Sequence, residues 1–383
     1  MSLSRMDRSG FAAWWWTIDR IALFAMLALI AIGLMLAFAA SPAATGGPLT
    51  AGDFRYAIKQ VAFALIAAFL LGGTSLLSLR QLRIAAAITF GLALAGSALV
   101  LLTGNEILGA RRWINLGWMT LQPSEFLKPG FAVLAAAILS DTTRRPLKGP
   151  AITAIVVLPA LLVLALQPDY GQAFLLLALW GSLLYFAGLD VVWVWTLGGA
   201  SAALAGLAYL LVPHVHHRVE QYFSAKDTGY QAGLALKAFA HGGIAGVGPG
   251  AGTVKYRIPD AHSDFIFAVA GEEFGLALCA AIAALFCLLT IRLLLRSAGV
   301  REPFAQLAGA GLAIVAALQA FINMGVAVSL LPAKGMTLPF ISYGGSSLFA
   351  VALTMGFALA VTRQRPKLAE RERPLFGAAG VRA

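Results

Sequence analysis

The chain has 383 residues, of which 60% are hydrophobic and only 12% charged, with a formal net charge of +11 and a mean hydropathy of +0.83. A soluble domain carries about twice that share of charge on its surface, so this composition excludes one. The excess of cations does not indicate nucleic-acid binding either. It sits in short groups between apolar runs: Arg80 and Arg83; Arg144, Arg145 and Lys148; Arg292, Arg296 and Arg301; and the stretch from Arg363 to Arg373. That placement is the positive-inside pattern of cytoplasmic loops in a membrane protein.

Taken in chain order, residues 1–19 read as a cytoplasmic segment without a cleavable leader, where Trp14, Trp15 and Trp16 form an interfacial anchor beside Arg20. Apolar runs then predict ten spans, at 20–41, 58–79, 84–103, 123–140, 150–167, 171–189, 191–212, 264–290, 304–331 and 343–362. An even number puts both termini in the cytoplasm, with every arginine-rich short loop on the same side. The expected fold is an all-α polytopic bundle of about ten transmembrane helices, one domain over 20–362, followed by a solvated cytoplasmic tail at 363–383. Cys279 and Cys287 fall on one predicted helix, too far apart to pair.

Three outer segments exceed simple connectors: 104–123, 332–342, and the large loop 213–263 between the seventh and eighth spans, which holds all five histidines. His214, His216 and His217 lack a further ligand at zinc spacing. The glycines of 241–252 follow no strand, so a phosphate loop is not expected, and flexible backbone beside a cavity suits them better.

The densest chemistry lies at 255–274, where a polar loop enters the eighth span. Ser263 or Asp264 suits an N-cap there. Asp264 equally suits a general base at the wet edge of a cavity, and residue type alone leaves both open. Glu272 and Glu273 lie about two turns deeper, on faces ~100° apart, so at least one is expected to pair with a cation. Arg111, Arg112 and Trp113 precede Gln122-Pro-Ser-Glu-Phe-Leu-Lys128. Two outer arginines run against the charge bias and call for an acidic partner. Glu125 and Lys128 share one helix face, as a self-neutralising pair or as part of a cationic site. Asp169, in Gln167-Pro-Asp-Tyr-Gly171, suits a turn and cap, and Asn323 a hydrogen bond between helices.

Several stretches together resemble the SEDS family (shape, elongation, division and sporulation). They are Arg112-Trp-Ile, Gln122-Pro-Ser-Glu-Phe-Leu-Lys, Gln167-Pro-Asp-Tyr-Gly, Gly229-Tyr-Gln, Pro259-Asp-Ala-His-Ser-Asp-Phe-Ile-Phe with Gly271-Glu-Glu-Phe-Gly, and Leu338-Pro-Phe-Ile-Ser-Tyr-Gly-Gly-Ser-Ser. They run over nearly the whole chain in the family's order. Lys255 and Leu331-Pro-Ala-Lys-Gly-Met-Thr-Leu-Pro are closer to the division member than to the elongation member. Asp260 stands where the family usually has Glu, Ser263 where it has Thr, and Ala225-Lys-Asp-Thr-Gly lacks the family's proline.

The resemblance implies a peptidoglycan glycosyltransferase of the bacterial inner membrane, polymerising lipid II at the division septum. It implies Asp264 as base and a substrate-binding set of Arg111, Arg112, Trp113, Glu125, Lys128, Lys255, His262, Lys334 and Ser342. Asp169, Glu272, Glu273 and Asn323 would support them. It implies no covalent cofactor, leaves room for a divalent cation (Mg2+ or Mn2+), and gives a class B penicillin-binding protein and other division proteins as partners. Lipid II translocation, an elongation-type polymerase and a non-catalytic division scaffold are the alternatives.

Overall fold

The computed structural model describes residues 10–45, 54–104, 111–141, 148–190, scattered positions within 192–216, 228–331 and 335–363. Helix α1 (Gly10–Thr17) carries the three tryptophans, and α2 (Arg20–Thr45), α3 (Arg55–Ser75) and α4 (Leu79–Thr103) follow. A two-residue antiparallel hairpin, β1 (Ile114–Asn115) with β2 (Thr120–Leu121), pairs Ile114 with Leu121. Then come α5 (Leu127–Ser140), α6 (Lys148–Leu166), α7 (Tyr170–Phe186), α8 (Thr228–Gly242), α9 (Ile266–Ala298), α10 (Pro303–Ala327) and α11 (Gly345–Thr362).

Seven of the described helices are long and apolar enough to cross a membrane, namely α2, α3, α4, α6, α9, α10 and α11, while α7 is apolar but shorter. The fold is an all-α polytopic membrane bundle. The span expected at 191–212 falls largely outside the described residues, as do most of 213–227 and the tail 364–383. The fourth span, expected from 123, begins as a 3-10 turn at Pro123–Phe126 and becomes α-helical only at Leu127. The expected loop 213–263 contains a further helix, α8, and a 3-10 turn at Val254–Arg257.

Burial is graded from centre to rim. Helix α11 is buried along nearly its whole length and packs most extensively on α3, while α9 lies against α10, α8 and α2. The outer helices instead show large apolar side chains, among them Phe69, Leu92 and Leu102. In lipid that is the stable arrangement, since outward apolar surface costs nothing there and helix pairing relies on close contact. Gly356 of α11 provides such a contact: a Cβ there would collide with Thr74 of α3.

Helix α9 is broken at Gly275, whose φ of 78° is open to glycine and costly for other residues. The freed backbone groups are taken up by the glycine-rich segment after α8. The amide of Val247 donates to Glu272 O and that of Gly248 to Glu273 O, both at 3.0 Å, while Leu276 N donates to Gly243 O at 2.9 Å. A broken helix survives in a membrane where neighbouring backbone satisfies its groups, as here.

Candidate functional site

The site is built on the turn before α9. Asp260 adopts a left-handed φ of 52°, a conformation that Asp tolerates better than most side chains. Its carbonyl then accepts from the amides of Ser263 and Asp264, each at 3.0 Å. The cap of α9 falls to Phe265, with no side-chain cap bond. This corrects the capping alternative for Ser263 and Asp264: Ser263 Oγ turns back to Asp260 O at 3.3 Å. The Asp264 carboxylate faces a cavity of about 180 Å³ lined by Gln231, Asp260, Phe265, Val326, Gly335 and Met336. Among the described residues no cation pairs with Asp264. Burial, and secondarily the negative charge of Asp260, push its pKa up to about 7.

The frame around that carboxylate is held by neutral donors. Asn323 Nδ2, on α10, donates to Asp264 O at 2.9 Å and to Met336 O at 2.6 Å, tying both cavity walls together. Asn323 thus bonds turn carbonyls rather than a facing helix. Ser342 is buried, and its Oγ donates to Ser263 O at 2.6 Å and accepts from Leu338 N at 2.7 Å. Tyr343 N donates to His262 O at 3.0 Å. The His262 ring packs on Tyr56 and Tyr343 at centroid distances of 4.8 and 5.4 Å. Burial lowers the His262 pKa and Asp260 opposes the shift.

A second polar cluster lies deeper. Lys128 Nζ donates to Glu125 Oε2 at 2.7 Å and to Gln319 Oε1 at 2.9 Å. Gln172 Nε2 holds the other Glu125 oxygen at 2.6 Å. Gln319 Nε2 reaches Thr337 O at 3.2 Å, one residue beyond Met336. Gln319 and Asn323 are one turn apart on α10, so a single helix face serves both clusters.

The remaining candidates divide by partner. Arg112 donates through Nε to Gln167 O at 3.0 Å and also to Pro168 O. The acidic partner expected for it is Asp169, 4.0 Å away. Asp169 occupies the N-cap position of α7, and its Oδ2 also accepts from Gln122 Nε2 at 3.1 Å. Burial raises its pKa, Arg112 and Lys128 oppose that, and Glu125 adds to it. Arg111 donates to Leu101 O at 3.5 Å at an exposed edge, and Trp113 is half-buried beside it. Neither arginine lines the Asp264 cavity. Lys334 lies outside the described residues.

Lys255, grouped with the substrate set from sequence, is turned fully inward. Its Nζ donates to Ala39 O at 2.7 Å and pairs with Glu273. Glu272 accepts the amides of Thr253 and Val254 at 2.7 Å and of Lys255 at 2.8 Å, and His241 Nδ1 lies 2.9 Å away. The membrane-depth carboxylates therefore fasten the glycine-rich loop to α9. That loop is pinned backbone, in place of the flexible cavity wall expected. Sequence reasoning did not single out Gln231, Asp260, Gln172 or Gln319 as site residues. A signal existed for two of them: Asp260 lies one helical turn before Asp264, and Gln319 one turn before Asn323.

A family model described as cell cycle protein, for FtsW, RodA and SpoVE, matches residues 20–367. This chain belongs to the SEDS family. A Caulobacter vibrioides relative named probable peptidoglycan glycosyltransferase FtsW is 39% identical over 95% of this chain and 94% of its own length. An Alkalilimnicola ehrlichii relative of the same name is 35% identical over 75% of this chain and 74% of its own. A chain of a solved peptidoglycan synthase complex that coordinates polymerization and crosslinking superposes with a TM-score of 0.76, at 29% identity, covering 91% of this chain and 99% of the other. Thermus thermophilus RodA superposes at 0.64 with 28% identity, over 91% and 97%.

Proposed function

We propose that this chain is a membrane-embedded peptidoglycan glycosyltransferase that polymerises lipid II, with Asp264 as general base. One observation carries the assignment of the base: a carboxylate just before α9 faces a cavity, lacks a cation among the described residues, and has its pKa pushed up to about 7. A general base works best when its pKa lies near the operating pH. In the reaction the acceptor's 4-hydroxyl attacks C1 of the donor sugar, its proton passes to Asp264, and undecaprenyl pyrophosphate leaves as the β-1,4 bond forms. Asn323 and Ser342 fix the turn that carries the base. Gln231 presents a neutral amide to the same cavity, suited to a sugar hydroxyl.

The leaving pyrophosphate needs positive charge. Arg111 is the exposed candidate, and Lys334 is the cation nearest in sequence to Gly335 of the cavity wall. Lys128 is committed to Glu125 and Gln319, and acts through them on the Thr337 segment. The described residues gather no group of three or more metal ligands. An Mg2+ or Mn2+ ion would therefore come held mainly by the substrate's own phosphates, as such ions commonly are.

The family description as a cell cycle protein and the membrane-crossing helices support a role in division within a membrane, for which we propose the septum and the inner membrane, and the solved synthase complex supports a class B penicillin-binding protein as partner. The test places the full chain with such a partner in liposomes containing lipid II, and reads glycan polymerisation and lipid II translocation together. Polymer formation supports the assignment. Translocation without polymer would replace it with a transporter, and neither activity would leave a scaffold.

A further inference from the structure

A cavity of about 450 Å³ lies away from Asp264, where α9 and α11 end and α4 and α10 begin. Arg296, Arg301 and Arg363 line it, together with Glu302 and Ala305. We propose that it binds the phosphate of an anionic phospholipid from the leaflet at that end of the bundle.

Topology accounts for arginines at this end, but not for three of them around one cavity. Among the described residues, the two carboxylates nearest this cavity are already engaged. Asp19 is shared between Arg292 and Arg296 at 2.8 and 2.6 Å, and Glu302 is engaged by Arg83 at 2.9 Å. Arg301 is exposed and adds charge beyond those pairs. The cavity wall also includes the first turn of α10, a 25-residue helix whose N-cap Glu302 makes no side-chain cap bond and whose Pro303 has no N–H. The start of a long helix favours an anion, and guanidinium forks match phosphate oxygens. The cavity's volume falls within the ~300–1,000 Å³ of small-molecule sites. Its depth, at the ends of membrane-crossing helices, is that of lipid phosphates. The chain's own C-terminal stretch is the competing occupant, but by sequence 364–383 has five cations against Glu370 and Glu372, a net positive charge that does not complement a cavity lined by arginines.

The test is native mass spectrometry of the full chain in detergent, titrated with phosphatidylglycerol, phosphatidylcholine or inorganic phosphate. The expected result is one retained phosphatidylglycerol, weak phosphatidylcholine, and a loss of roughly fivefold in phosphatidylglycerol affinity in Arg301→Gln, the scale of one arginine at an anionic surface. Arg80→Gln, which removes an exposed arginine outside the cavity, is expected to bind as wild type. Equal losses in the two variants would overturn the proposal in favour of diffuse surface charge. Equal retention of phosphatidylcholine would overturn it too. Displacement of the lipid by millimolar inorganic phosphate would overturn the lipid assignment and leave a free-phosphate site.

Discussion

Asp19 and Asp264 each precede a long apolar helix, and the bundle treats them in opposite ways. Asp19 is buried and caps α2, accepting the amide of Ala22 at 3.2 Å, and it holds the guanidiniums of Arg292 and Arg296. Burial alone would raise its pKa, but the Ala22 amide and the two arginines outweigh that and lower it. Asp264 has burial and a neighbouring carboxylate, and no described cation. The same side chain is thus a fastener at one end of the molecule and a group held near its titration point at the other. Perturbation without compensation is the pattern expected of a functional carboxylate, which supports Asp264 as the proposed base.

The contrast can be broken from the structural side first. Lys255→Met would strand Glu273 inside the bundle, and removing one partner of a buried pair costs about 3–5 kcal/mol. A large drop in thermal stability is expected, with polymerase activity per folded molecule retained. Loss of activity at unchanged stability would return Lys255 to the substrate set. Next, Asp19→Ala removes a cap and two ion partners, at a cost of about 1–3 kcal/mol. Because the folded-state pKa of Asp19 is lowered, its contribution is present above the unfolded value and fades as pH falls through the folded one. The deficit of the variant, followed by denaturation against pH, should therefore shrink on acidification below about pH 4.

Asp260→Asn sharpens the comparison at the other end. Asn tolerates the left-handed backbone as Asp does, so the change removes charge and keeps the turn. The base must be ionised to act, so activity should rise with pH through about 7 in the wild type. Without the neighbouring charge, that acid limb of kcat/KM should move to lower pH, which a pH–rate profile would register. An unmoved limb would show that burial alone sets Asp264. The smallest effect is expected for Arg83→Ala, whose partner Glu302 is exposed at 2.9 Å. Such pairs contribute about 0–1 kcal/mol.

The fold class is legible in hydropathy alone, and the family motifs single out Asp264 from sequence. What stayed hidden had a physical cause in each case. Asp19 and Asp264 look alike as helix-start carboxylates; only the backbone turn at Asp260, which satisfies the amides of Ser263 and Asp264, decides which one caps. Lys255 reads as a surface cation, because nothing local reveals that Glu273 and Ala39 O draw it inward. Gly275 sits inside one predicted span with no breaker beside it, and its positive φ goes with backbone hydrogen bonds from residues 243–248, distant in sequence. Helix α8 reads as loop in the sequence because glycine, histidine and lysine dilute its apolar face, and packing against α9 decides the matter.

The most direct test of the account is glycan polymerisation from lipid II by Asp264→Asn, reconstituted with its transpeptidase partner at pH 7.5 beside the wild type. The substitution keeps the shape of the side chain and removes the proton acceptor. The account predicts a fall of at least ~10²-fold, the scale of a lost general base, with folding and partner binding intact. Wild-type polymerisation by that variant would contradict it.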